Sequence, residues 1–169
     1  MRGFMCGLLA AAMSYLACSA SAAEITASPR LEGQPLTLGY TAFFVEHVAE
    51  TVAFYGSAFG IPLKYMHPSK GYAELATGST TLAFISEAFI DEQHLLADTK
   101  LRINRAAAAP VAAQLAFVSR DLEHDWSRAV DAGAKILKAP EAKPWGQTVG
   151  YLLDLNGVIV ELCTPPTRQ

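Results

Sequence analysis

Apolar and polar positions along this chain follow one pattern, written twice. The run Leu38-Gly39-Tyr40-Thr41-Ala42-Phe43-Phe44-Val45 has the length and the aromatic content of a strand. From Val48 to Phe59 the period lengthens, and Val52, Phe54, Tyr55 and Phe59 make an apolar face at helical spacing. Gly60 ends that helix and Pro62 prevents its continuation. Short strands follow near Leu63–His67, Gly71–Ala76 and Thr80–Ser86, the last two joined through Thr77-Gly78-Ser79. The second copy begins near Val111 with the strand Ala113–Val118, and Asp121 is a suitable N-cap for a helix over Leu122–Ala132. Gly133 ends this helix as Gly60 ended the first. Strands near Ala134–Lys138, Gln147–Leu153 and Val158–Cys163 complete it, with Asn156-Gly157 predicting a two-residue type I′ hairpin turn between the last two.

An internal β-α-β-β-β repeat of this size predicts an α+β fold of two tandem modules, residues 36–87 and 111–165. Residues 88–110 read as a linker that ends at proline and carries no strand signal. A short helix over Glu87–Ala97 opens it, and a basic, alanine-rich crossover follows.

The N-terminus has a different character. Arg2 precedes an apolar stretch from Phe4 to Ala17, and Ser19-Ala20-Ser21-Ala22-Ala23 offers small residues for cleavage. Residues 1–23 are expected to be a secretory leader, too short to span a bilayer, with residues 24–35 as an N-terminal tail. The mature protein is therefore expected in the periplasm or otherwise exported. Leu16-Ala17-Cys18 resembles the end of a lipobox, although Tyr15 stands where that motif has Leu or Val, so a lipid anchor on Cys18 is the alternative.

Cys6 and Cys18 fall in the leader, which leaves Cys163 alone, so no internal disulfide staples the mature domain. Its stability must come from a hydrophobic core, for which a domain of roughly 145 residues is long enough. Without the leader, 12 basic and 16 acidic residues leave a charge of −4, which argues against nucleic acid as a partner.

Several stretches resemble the vicinal oxygen chelate superfamily of glyoxalase I, bleomycin-resistance proteins and extradiol dioxygenases. Phe44-Val45-x-x-Val48, Thr51-Val52-Ala53-Phe54-Tyr55 and Ala58-Phe59-Gly60 are similar to its opening. Tyr72-x-Glu74-Leu75-x-Thr77-Gly78 with Thr81–Phe84 resembles the end of its first module. Gln114–Phe117, Asp121-Leu122, Ala132-Gly133-Ala134 and the Pro144-Trp145-Gly146-Gln147 stretch resemble its second. The resemblance implies a curved mixed sheet around a cup-shaped cavity. In catalytic members the floor of that cup holds a divalent metal, with ligands from the first and last strand of each module. Carried over, those positions are Tyr40 (or Thr41), Phe84, Gln114 and Glu161.

Only Glu161 is a good ligand for a hard cation, and zinc, nickel or ferrous iron want three or four protein donors. His47, His67, His94 and His124 fall at helix starts, a strand end or the linker. No protein-held metal and no cofactor are expected. Glu161 sits in the otherwise apolar Val158–Cys163 strand, where a carboxylate needs a partner or a wet cavity. It is either tied down by its neighbours, an anchor for a ligand with Gln114 beside it, or a general base. Tyr40, Tyr72 and Phe84 would give the cup an aromatic lining, Trp145 could lean over its mouth, and Glu74 faces either the cup or solvent.

The favoured expectation is a metal-independent binder of a small, aromatic or oxo-containing molecule, monomeric or dimeric. A glyoxalase- or lyase-type enzyme using Glu161, with or without a divalent metal, is the alternative, and an interaction module whose cup is filled by side chains is the third. N-terminal sequencing of exported protein is expected to start at Ala23 or Glu24. A membrane-bound form lipidated on Cys18 would instead show processing as a lipoprotein.

Overall fold

The structure is a computed structural model, and it describes residues 38–94, 96, 99, 101, 105, 107–110 and 112–166. The expected leader, the tail over 24–35, Cys18 and several linker positions lie outside the described residues.

The first module comprises β1 (Tyr40–Val45), α1 (Val48–Phe59), β2 (Leu63–Met66), β3 (Tyr72–Leu75) and β4 (Thr81–Ser86). A short helix, α2 (Glu87–Glu92), follows with Ser86 as its N-cap, ending five residues earlier than the expected helix. The second module comprises β5 (Gln114–Val118), α3 (Leu122–Asp131), β6 (Lys135–Ala142), β7 (Thr148–Leu153) and β8 (Ile159–Cys163). Each module is a four-stranded mixed sheet, ordered β1-β4-β3-β2 and β5-β8-β7-β6, with the first and last strands of each module parallel. This is the expected α+β fold of tandem βαβββ modules. Strand β6 runs through Pro140, beyond the expected end at Lys138; it is a sheet edge with register shifts, where proline is tolerated. Among the described residues, no helix is long and apolar enough to cross a membrane.

The helix-facing sides of both sheets and the helices α1 and α3 share one core. Leu75, Leu82 and Phe84 of the first sheet join Leu152, Val160 and Leu162 of the second and Tyr55, Ala58 and Ala129 of the helices. Phe59 meets Phe117 with ring centroids 5.4 Å apart, and Tyr55 meets Phe84 at 4.8 Å. Trp126 of α3 lies directly on Gly150, where a Cβ would sit 2.4 Å from the indole, so only glycine permits that approach. Arg128 of α3 donates through Nε to the Ala58 carbonyl at 3.2 Å, closing the C-terminus of α1 from the other module. The apolar faces of the helices are therefore used inside the chain.

A buried polar link ties the modules together. Asp154, only 1% exposed, accepts from the Tyr55 hydroxyl at 2.9 Å and from the backbone N–H groups of Asn156 and Val158 at 2.9 and 2.7 Å. Asn156 donates through Nδ2 to Thr51 Oγ1 at 3.0 Å, and Thr51 donates to the His47 carbonyl at 2.8 Å. Burial raises the Asp154 pKa, and these donors oppose that rise.

The same link corrects the expected turn. Of the two turn residues only Gly157 has positive φ, at 80°, whereas a type I′ turn would require it at Asn156 as well. Gly157 N–H bonds to the Asp154 carbonyl and Asp154 N–H to the Val158 carbonyl, which makes a three-residue loop ending in a left-handed glycine. The Asp154 side chain, holding the Asn156 and Val158 amides, selects this loop over the two-residue one.

Tyr55→Phe is expected to lower the unfolding free energy by about 1.5–3 kcal/mol, the range for a hydrogen bond to a charged acceptor. Urea denaturation measures it, and a loss near zero would show that the link does not hold the modules.

Candidate functional site

Alternation along the strands assigns every residue to the core side or the open side of its sheet. On the first sheet Tyr40 pairs with Thr81, Ala42 with Ala83, Ala83 with Glu74, and Glu74 with Tyr65. Tyr40, Tyr65, Tyr72 and Glu74 thus share the face opposite α1. Tyr40 is 60% exposed, and the Tyr65 and Tyr72 rings lie 6.3 Å apart. Glu74 accepts from the Tyr72 hydroxyl at 2.8 Å and holds Lys64 Nζ at 2.8 Å. Lys64 and then the Tyr72 hydroxyl hold the Glu74 pKa below the usual range. Burial and then the Glu74 carboxylate push Tyr72 up to about 12.

On the second sheet Ala116 and Tyr151 flank Glu161 in register, and Gln114 lies two residues before Ala116 on the same side. Gln114 donates through Nε2 to Glu161 Oε2 at 3.1 Å. The pKa of Tyr151 is raised by burial and by its interaction with Glu161. The buried Cys163 thiol is raised by burial and the same carboxylate. Each open face lies on the far side of its sheet from the shared core. Tyr40, Tyr72 and Glu74 are therefore gathered on one face, and Gln114 and Glu161 on another.

Two further expected positions lie elsewhere. Phe84 is fully buried against Tyr55 on the helix side, so it belongs to the core and cannot line a cup. The register explains the correction: Ala42 pairs with Ala83 as Ala116 pairs with Glu161, so the repeat-related counterpart of Glu161 is Ala83. One residue along a strand is the opposite face. Trp145 is 58% exposed at the tip between β6 and β7, with no ring contact or side-chain hydrogen bond among the described residues.

Tyr151, Tyr65 and Lys64 were missed. A two-residue turn at Asn156-Gly157 would have set Leu152 opposite Glu161; the three-residue loop moves the register by one and brings Tyr151 there. Tyr65 and Lys64 were legible only through the β2–β3 register, which shifts between Leu63 and Tyr65.

The corrected positions of the family's metal site are Tyr40, Ala83, Gln114 and Glu161. One carboxylate, one phenol, one amide and a methyl do not make a site for zinc, nickel or ferrous iron. The amide nitrogen of Gln114 already faces the only carboxylate, and among the described residues no three His, Cys, Asp or Glu side chains gather to hold a cation. This donor set does not fit the metal.

A cavity of about 570 Å³ lies at the seam between the modules, with Phe59, Phe117 and Arg128 among its lining, and it reaches the margins of the two open faces at Thr81 and at Ala116 and Val118. Its charged wall is self-satisfied: Arg128 pairs with Asp125 at 2.8 Å, and Asp125 accepts from the Ser119 hydroxyl. It contains none of Tyr40, Glu74, Gln114 or Glu161. Size alone would favour this cavity, but the charge and aromatic groups lie on the open faces.

Two βαβββ modules with parallel outer strands define the vicinal oxygen chelate class. Residues 37–162 match the Glyoxalase/Bleomycin resistance protein/Dioxygenase superfamily, and the chain belongs to it. Among solved structures it is similar to a glyoxalase-related enzyme from Fulvimarina pelagi, with TM-score 0.63 and 20% identity over 78% of this chain and 89% of that one. It is also similar to a glyoxalase/bleomycin resistance protein/dioxygenase family enzyme from Burkholderia phytofirmans PsJN, with TM-score 0.59 and 18% identity over 76% and 98%. TioX from Micromonospora sp. ML1 matches with TM-score 0.56 and 19% identity over 76% and 98%. No curated protein matches. At these identities the solved structures establish the fold alone.

Glu74→Gln is expected to lower the Tyr72 pKa from about 12 without returning it to 10, because the carboxylate is removed while burial remains. Carbon NMR of labelled tyrosine through a pH titration reads this shift. An unchanged value would show that Glu74 does not act on the phenol.

Proposed function

We propose that this protein is an exported, metal-independent binder of a small aromatic or oxo-containing molecule. The constellation of Gln114, Tyr151 and Glu161 on one open face carries this reading: a few oriented polar groups among small and apolar neighbours are the usual form of a small-molecule site. The tyrosine face of the first sheet supplies matching aromatic area. The leader supports export.

One chain carries both half-walls, and its helices turn them away from each other, so we place the ligand between two copies. The first sheet of one copy faces the second sheet of the other, and a two-fold dimer makes two equivalent cups. Exposed Tyr40, Tyr65 and Val118 on these faces, and the outer edges of β1 and β5, which no strand among the described residues pairs, support the pairing.

Native mass spectrometry of protein purified from the periplasm tests this reading. The expected species is a dimer without stoichiometric zinc, nickel, iron or manganese. One equivalent of metal, retained through dialysis and lost in Glu161→Ala, would overturn the metal-independent reading; a stable monomer would overturn the shared cup.

A further inference from the structure

The carboxylates carried by strands differ in one respect. Glu74 holds Lys64 at 2.8 Å, and Glu141 holds Lys138 at 2.7 Å and Lys143 at 3.0 Å. Glu161 has no lysine, arginine or histidine nitrogen within 4.0 Å among the described residues. Lys138, the register partner of Tyr151, is engaged by Glu141. Glu161 is half-buried; its neighbours along β8 and β5 on this face, Ile159, Cys163, Ala116 and Val118, are small or apolar, and the charged pair Lys138 and Glu141 lies on the far side of Tyr151 and Val149, on β6. Any ligand covering that face removes water from a carboxylate held by neutral donors alone, which is costly unless the ligand brings the opposite charge.

The neighbouring atoms fit a particular kind of cation. Gln114 turns its amide nitrogen to Glu161 Oε2, which leaves its carbonyl oxygen as an acceptor. The Tyr151 hydroxyl oxygen can also accept, and the tyrosine ring can face a cation. Carboxylate, amide oxygen and phenol oxygen together match the three N–H donors of a primary ammonium.

We propose that Glu161 is the counter-ion for an organic cation, and that the ligand class is a protonated amine on a flat apolar body. The proposal rests on the small-molecule reading above and names the charge of the ligand. The ammonium lies against Glu161, Gln114 and Tyr151, while the apolar body covers Ala116 and Val118.

The test uses naphthylmethylamine, naphthylmethanol and naphthoate, three probes of one shape and different charge, titrated into the mature protein by calorimetry. The amine is expected to bind at least tenfold more tightly than naphthoate, with affinity falling as salt rises. Glu161→Gln should weaken the amine at least tenfold and leave naphthylmethanol unchanged, while Glu50→Gln, on the exposed side of α1, should change neither. Thermal unfolding of the Glu161 variant separates lost binding from lost fold. Equal or tighter binding of naphthoate, or amine affinity indifferent to Glu161→Gln, would overturn the cation assignment while leaving the small-molecule reading in place. Failure of all three probes to bind would remove both.

Discussion

The buried carboxylate of Asp154 is the constraint from which most of this architecture follows. A charge with 1% exposure must be supplied with donors, and its donors come from both modules: the Tyr55 hydroxyl from α1 and two backbone amides from the β7–β8 loop. Satisfying it brings the helix side of the second module against α1, where Thr51 and Tyr55, four residues apart, present both hydroxyls on one face. The apolar residues beside them then close into a single core. Because both sheets direct their helix sides inward, their other faces must point outward.

The same loop governs the chemistry on the outward face. A three-residue connection, fixed by the Asp154 side chain, sets Tyr151 opposite Glu161; a loop one residue shorter would have put Leu152 there. Structural support and candidate site are coupled through one turn. A change at Asp154 would therefore be felt at Glu161 through register, without direct contact between the two side chains.

The two repeats have diverged in their electrostatics while keeping the same frame. In the first, Glu74 occupies the position that Tyr151 holds in the second, and it is neutralised within the module by Lys64. In the second, the carboxylate stands on the last strand at the position of Ala83 and is met by neutral donors only. Superfamily membership fixes the frame, but these four positions do not carry a metal-binding set, and the seam cavity is lined by a charge pair already closed on itself. Fold and chemistry are separable here, as they generally are.

The sequence by itself determined the repeat, the helix over Val48–Phe59, the Asp121 cap and the approximate position of every strand. These depend on local periodicity, on glycine and proline as stops, and on side chains that reach their own backbone. It also singled out Glu161 and Gln114, because polar groups in apolar strands stand out without coordinates. Register was beyond it. The face occupied by Phe84, the loop at Asn156-Gly157 and the placement of Tyr151 each depend on a shift of one residue, which leaves the hydrophobic pattern nearly unchanged. Only the tertiary structure decided that the apolar face of α1 enters a core shared with the second module, because that choice is tied to buried hydrogen bonds between residues about a hundred positions apart.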